Sequence, residues 1–278
     1  MNTQTPAEIL DLIARGALFV CNHSGGKDSQ AMLIHLRRLV PARQLLVVHA
    51  PLGEVEWPGT VEHIEATIGG LPLVLAQARQ HDGSDRTFLN MVDDKAARLP
   101  EVSPWPSPKQ RQCTSDLKRT PIEREIRRYL KAHPEFGGLV VNCTGLRAGE
   151  SENRAKQEPL KLNKKNSKAG REWWEWLPIH QLTTLEVFAA IAEAGEQVHW
   201  CYQAGMSRMS CCLCIMASQA DLALGAQLRP DLLVAYAVRE KAYGFTFRMD
   251  RRSLTDLPAN DLQPALPPLA ELAEKVAA

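Results

Sequence analysis

The 278-residue sequence has no run of about 18 consecutive apolar residues, so nothing in it reads as a membrane-spanning helix. Its beginning, "MNTQTPAEILDLIARGALFV", lacks a basic stretch leading into a long apolar one, and no secretory leader is read there. Neither sign of charge dominates: 33 Lys and Arg stand against 32 Asp and Glu, a formal net charge of +1, so bulk charge names no partner. Hydrophobic residues make up 45% and charged residues 23%, a composition that excludes disordered, collagen-like and membrane classes. The expectation is a cytoplasmic globular protein, long enough for one large α/β domain or one domain with an appendage.

Cysteine is present in an odd number, seven, and Cys211, Cys212 and Cys214 fall within four positions. A secreted disulfide framework spaces its cysteines through loops. This crowding suits metal or sulfur chemistry in a reducing compartment instead.

Short apolar runs at 17–22, 44–50, 72–77 and 138–145 read as buried parallel strands. Between them "DSQAMLIHLRRL" and "TVEHIEATIGG" carry apolar residues at helical spacing, the second closed by glycine. That βαβαβ order predicts an α/β fold: a Rossmann-like, mostly parallel sheet with helices on both faces. Residues 100–121 hold five prolines and predict neither a long helix nor a central strand. Residues 155–172, with "KLNKKNSKAGR", read as a lysine-rich mobile loop. Strand signals stop near residue 205, so the expected units are a domain over 1–205 and a smaller, mainly helical part over 206–278 that begins with a cysteine-rich element.

The most informative stretch is "CNHSGGKDSQAML", residues 21–33, a glycine turn between an apolar run and a helical pattern. Such a turn presents backbone N–H groups and the positive end of a helix dipole to an anion. Lys27 and the flanking Ser24 and Ser29 supply the side chains of a phosphate cradle. Two common nucleotide loops are missing. The NTPase pattern G-x-x-x-x-G-K-[ST] fails because Cys21 stands five before Gly26 and Asp28 follows Lys27; a dinucleotide G-x-G-x-x-G is absent as well.

"SGGKDS" resembles the pyrophosphate loop of the adenine-nucleotide α-hydrolase (PP-loop) superfamily. By position, Ser24, Gly25, Gly26, Lys27, Asp28 and Ser29 would hold the β and γ phosphates of ATP with Mg²⁺, while a substrate attacks the α phosphorus. Further segments resemble the phosphoadenosine phosphosulfate (PAPS) reductase family. They are "HAPLGEVEWPGTVEHI" with Glu56 and Thr60, "CTSDLKRTPIER", "TGLRAGESENR", "LPIHQLTTLEVF" and "YQAGMSRMSCCLC", in family order. The resemblance implies that Arg147 and Arg154 face phosphate or sulfate, and that Lys27, Asp28 and Arg147 are catalytic.

Cys211 and Cys214 form C-x-x-C, and Cys113 lies where the family brings a cysteine to the same place. Thiolates at this spacing favour iron–sulfur or zinc, and the resemblance implies a [4Fe–4S] cluster. The fourth ligand stays open between Cys212, Cys143 and an unliganded iron, because Thr114 follows Cys113 where some reductases pair two cysteines. A redox dithiol or plain packing is the alternative for such a pair. Cys21 and Cys201 read as core residues.

Sulfonucleotide reductases use a cysteine in a C-terminal E-C-G-[IL]-H-type tail, whereas no cysteine follows Cys214 in "LPANDLQPALPPLAELAEKVAA". The expected activity is therefore adenylation of a substrate, ATP giving AMP and pyrophosphate, coupled to iron–sulfur-dependent sulfur transfer. A partner such as a cysteine desulfurase would donate the sulfur. The alternatives are sulfonucleotide reduction by an atypical route and a non-catalytic nucleotide- or cluster-binding subunit of a nucleic-acid modification or defence complex. Lys161, Lys164, Lys165, Lys168 and Arg171, followed by "EWWEW", suit a single-stranded nucleic-acid groove; a solvated loop followed by a strand with buried tryptophans accounts for the same residues.

Overall fold

The four expected apolar runs form parallel strands β1 (Leu18–Asn22), β2 (Leu45–His49), β3 (Leu73–Leu75) and β4 (Leu139–Thr144). In this computed structural model residues 5–257 are described, and 258–278 of the expected C-terminal part lie outside the described residues. Two further strands are β5 (Leu160–Leu162) and β6 (Glu172–Trp176). β6 is parallel to β4 and β5 is antiparallel to β6, giving the order β3-β2-β1-β4-β6-β5. The lysine-rich stretch is thus not a loop throughout. Leu160 and Leu162 register with Trp176 and Trp174, and Lys161 opposes Glu175, so cross-strand packing and opposite charge turn this segment into an edge strand.

The chain's principal helices are α1 (Ala7–Ala14), α2 (Lys27–Leu39), α3 (Thr60–Thr67), α4 (Phe88–Arg98), α5 (Thr120–Ala132), α6 (Thr184–Glu193), α7 (Gln219–Leu228) and α8 (Pro230–Tyr243). They cover both faces of the sheet, which explains apolar runs without alternation. Leu18, Val20, Val140 and Trp173 pack with Ile126 and Leu130 of α5. Phe19, Cys21 and Val141 pack on the other face with Leu33 of α2 and Val187 of α6. Leu222, Leu232 and Tyr236 of α7 and α8 join that second cluster, so these helices share its core.

The proline-rich segment is irregular until a helical turn at Gln112–Thr114, which passes through a π turn at Ser115–Arg119 into α5. Pro121 sits in the first turn of α5, where its missing N–H costs no helical bond. From β1 the chain moves outward to β2 on one side, while β4 and its successors build outward on the other. The direction reverses between β1 and β4, and ligands of such sheets bind outside the strand C-termini at that point.

Candidate active site

The turn after β1 enters α2 with Gly25 in the left-handed region (φ 77°) and Gly26 as the residue preceding the helix. Side chains fix its amides one by one. Ser24 N–H donates to Ser29 Oγ (3.1 Å), Gly25 N–H to His23 Nδ1 (3.0 Å) and Lys27 N–H to Tyr202 Oη (3.1 Å). Ser29 Oγ donates in turn to the Gly26 carbonyl (2.8 Å). These bonds fix the shape of the loop and occupy its Ser24, Gly25 and Lys27 amides, and the loop borders a cavity of about 500 Å³ at the C-terminal ends of β1, β2 and β4.

Space around the turn is spoken for. A Cβ on Gly25 would come within 2.9 Å of Met209 Cε, and one on Gly145, after β4, within 2.9 Å of the Asp28 carbonyl. The β4 turn thus seats directly on the start of α2, and only glycine fits there.

Lys27 and Arg147 are both buried and converge on Asp28. Lys27 Nζ lies 3.1 Å from Asp28 Oδ2, and Arg147 Nε donates to Asp28 Oδ1 at 2.6 Å. The rest of the Arg147 fork donates to the Leu182 carbonyl and Thr184 Oγ1, both at 3.2 Å. Arg147 lines the cavity, as the sequence leads one to expect, but its donors are bound to protein: it orients Asp28 and supports the cradle. Two cations against one carboxylate leave a net positive charge at this wall of the cavity, which favours an anion there. Arg154, half-buried at the cavity wall, is ion-paired with Glu150.

Tyr202 was not singled out in the sequence. Its Oη also accepts from Met209 N–H (3.1 Å), so one phenol ties the N-terminus of α2 to the segment that carries the C-x-x-C cysteines. Burial raises its pKa, which keeps it neutral and able to accept both bonds. No local signal reveals this role, since the contact spans the sheet and most of the chain. Lys118, on the π turn, lines the cavity too, next to Cys211.

His23 is buried, and burial, reinforced by His63, His49 and Arg37, lowers its pKa to about 3. His199 is lowered to about 4, burial again leading. The neutral His23 ring is what accepts the Gly25 N–H. A depressed folded-state pKa means that the unfolded chain takes up the proton first. The His23 contribution is complete above pH 6.5 and is lost as pH falls toward 3. At pH 5 the loss amounts to about 2 kcal/mol. Urea unfolding at neutral and mildly acidic pH tests this. His23→Gln is expected to flatten the dependence, and an unchanged slope in that variant would remove His23 as its source.

The cysteines divide by position. Cys113, Cys211 and Cys214 are half-buried, and Cys211 borders the cavity. Burial raises the Cys211 thiol, opposed by Lys118 and reinforced by Cys214 and Cys113, so the three thiols sense one another. Among the described residues, however, no three His, Cys, Asp or Glu side chains are gathered to hold a metal ion. Cys143 lies in β4 opposite Cys21, its Sγ 3.7 Å from the Val141 carbonyl, inside the sheet core. Cys212 is buried with Sγ 3.5 Å from Arg229 Nη1, and its pKa is raised to about 12 by burial. Both candidate fourth ligands are therefore packed in the interior, away from the cavity.

The basic loop stands away from the cavity. Arg171 precedes β6, at the opposite end of the sheet from the phosphate loop, and Trp173 and Trp176 are buried. Those two rings are core and offer no stacking platform for bases, so the strand-with-buried-tryptophans account of this segment is the one its packing follows.

The match to a family model is decisive for kinship: the phosphoadenosine phosphosulfate reductase domain aligns with residues 19–217, most of the chain. The chain belongs to the PAPS reductase family. Its phosphate loop, β4 turn and Cys211 all fall within the matched span. No curated protein sequence matches it. Solved structures similar in fold include PAPS reductase from Candida auris in a phosphate complex, at 15% identity and TM-score 0.46, covering 75% of this chain and 88% of that one. FMN adenylyltransferase from Candida glabrata with ATP follows at 12% identity and TM-score 0.40, covering 71% and 53%. Yeast FAD synthetase with FAD stands at 11% and 0.38, covering 95% and 92%. This chain spans about half the length of the adenylyltransferase, and likenesses this low carry no argument about chemistry. Among the described residues no helix is long and apolar enough to cross a membrane.

Proposed function

We propose that this PAPS-reductase family member is an adenine-nucleotide α-hydrolase: it binds ATP in the cavity and transfers AMP to an acceptor oxygen, releasing pyrophosphate. The observation that supports this most directly is the buried Lys27–Asp28–Arg147 set under a loop whose amides are locked by Ser29, His23 and Tyr202. The acceptor oxygen bonds to the α phosphorus, and the bond to the bridging oxygen of the β phosphate breaks. The loop and the dipole of α2 stabilise charge on the departing pyrophosphate.

Mg²⁺ would travel with the phosphates. The cavity carboxylates Asp28, Glu56 and Glu150 already face Lys27 and Arg147, His49 and Arg154, so they complement a phosphate-bound ion rather than form a cage. Adenylation turns the acceptor oxygen into a good leaving group, and a sulfur nucleophile then displaces AMP. A partner such as a cysteine desulfurase would supply that sulfur as a persulfide, and a second thiol would cleave the sulfur–sulfur bond after the displacement, leaving the reduced sulfur on the acceptor and a disulfide on the donor. Cys113, Cys211 and Cys214 would hold a cluster, with Cys211 at the cavity border.

The test is incubation of anaerobically purified protein with ATP and Mg²⁺, then with PAPS and a thiol, with products separated by chromatography. AMP and pyrophosphate in equal amounts are expected. Sulfite from PAPS without ATP turnover would establish a reductase instead, and no turnover of either would leave a binding subunit. Iron and acid-labile sulfide measured on the same preparation show whether the three thiols gather a cluster: about four of each per chain is the [4Fe–4S] result.

A further inference from the structure

A second concave surface lies at the other end of the sheet from the cavity. The sequence of α5, "TPIEREIRRYLKA", buries Ile126 and Leu130 against the strands and turns Arg124, Arg127, Arg128 and Lys131 outward. Their i, i+3, i+4, i+7 spacing places these four cations on one helix face over about 10 Å. The opposite wall is the turn before β6, ending in Arg171, and together they bound a cleft of about 620 Å³.

The walls are fixed in place. Gly138 is left-handed (φ 75°), and a Cβ there would come within 2.5 Å of the Gly170 carbonyl, so the turns before β4 and β6 touch. Arg127 Nη1 lies 3.5 Å from Asn166 Oδ1, which joins the helix to the turn that carries Lys164, Lys165 and Lys168. The end of that turn, Ala169, Gly170 and Arg171, lines the cleft opposite the α5 arginines, a juxtaposition that sequence distance hides.

The cleft's charge is cancelled only in part, two carboxylates standing against five lining cations. Glu125 pairs with Arg124 and Arg128, and Glu123 lies 3.7 Å from Arg127, whereas Lys131 and Arg171 have no ion pair among the described residues. Arg171 Nε is buried without a hydrogen-bond partner, a donor held in reserve at the cleft wall. Four of the five cations lining it are guanidinium groups, whose planar forks match phosphate oxygens. None of the exposed large apolar side chains lines it, which disfavours a membrane surface. No aromatic side chain lines the cleft, so bases have nothing there to stack on.

We propose that this cleft binds the phosphate backbone of duplex nucleic acid, without base readout. It lies roughly 20 Å, the length of β4, from the nucleotide cavity. A duplex held there is a docking contact rather than the site of chemistry. The inference does not depend on the proposed reaction, because binding is read without ATP.

The experiment is fluorescence anisotropy of the full chain with labelled random-sequence DNA and RNA duplexes of about 20 base pairs over rising salt. Binding of either duplex is expected to weaken by about 10²-fold or more between about 50 and 200 mM salt. Arg128→Glu with Lys131→Glu is expected to weaken it at least about tenfold and to reduce the salt slope by about 2. Lys241→Glu on α8, away from the cleft, is the control and should leave binding unchanged. Arg128→Gln with Lys131→Gln serves as a milder pair if charge reversal impairs folding. Absence of duplex binding by the wild type, equal binding by the α5 variants, or binding only to anionic lipid vesicles would each overturn the proposal.

Discussion

Replacing Arg147 by alanine is expected to cost about 3–5 kcal/mol of stability, read as a drop in the urea midpoint, and to abolish ATP binding measured by calorimetry. Arg147 is 5% exposed and bridges three partners from different elements: Asp28 at the start of α2, the Leu182 carbonyl, and Thr184 at the start of α6. Removing it leaves the Asp28 carboxylate with Lys27 alone in a largely buried setting and frees the β4 turn from α6. Arg147→Lys should recover little, because an ammonium cannot bridge all three acceptors in the fork geometry. A variant as stable as the wild type that still binds ATP would show that Arg147 is a bystander at the cavity wall.

Lys27→Met tests the chemistry with less disturbance to packing. The Lys27 ammonium sits 5.5 Å from the Tyr202 ring centroid and 5.9 Å from that of Phe188, and a thioether chain of similar length fills that aromatic slot. Production of AMP from ATP is expected to fall by about 10²–10³-fold, the scale associated with losing one donor aimed at developing charge. The fall should appear in kcat more than in KM, since the charge on pyrophosphate grows as its bond breaks. Unchanged turnover would move catalysis away from this loop altogether.

These two residues were visible in the sequence for different reasons. Lys27 stands in "SGGKDS", where glycines, a lysine and the strand-to-helix context lie within a few positions and state their chemistry locally. Arg147 was visible only through a family resemblance, and the expectation that it faces an anion missed the Asp28 carboxylate waiting across the switch point. Tyr202 and Met209 carried no signal: one is an ordinary phenol, the other an ordinary thioether, and each matters because it lands on the phosphate loop. The lysine-rich stretch left two accounts open, a groove with the neighbouring tryptophans and a loop before a strand with buried ones. Trp173 and Trp176 follow the second, because their strand is packed on both faces of the sheet.

Sequence by itself determined the four apolar strands, the helices α2 and α3 between the first three, the glycine turn after β1 and the membership in a family, because those depend on residue types at short spacings. Only the tertiary structure decided the remainder. It drew Cys143 and Cys212 into the interior, left Cys113, Cys211 and Cys214 half-buried with Cys211 at the cavity, paired Asp28 with both Lys27 and Arg147, and set α5 against the turn before β6 in one basic cleft. Those outcomes depend on which residues meet across the sheet, and that is set by strand order and by the burial of both faces, quantities that no local spacing encodes.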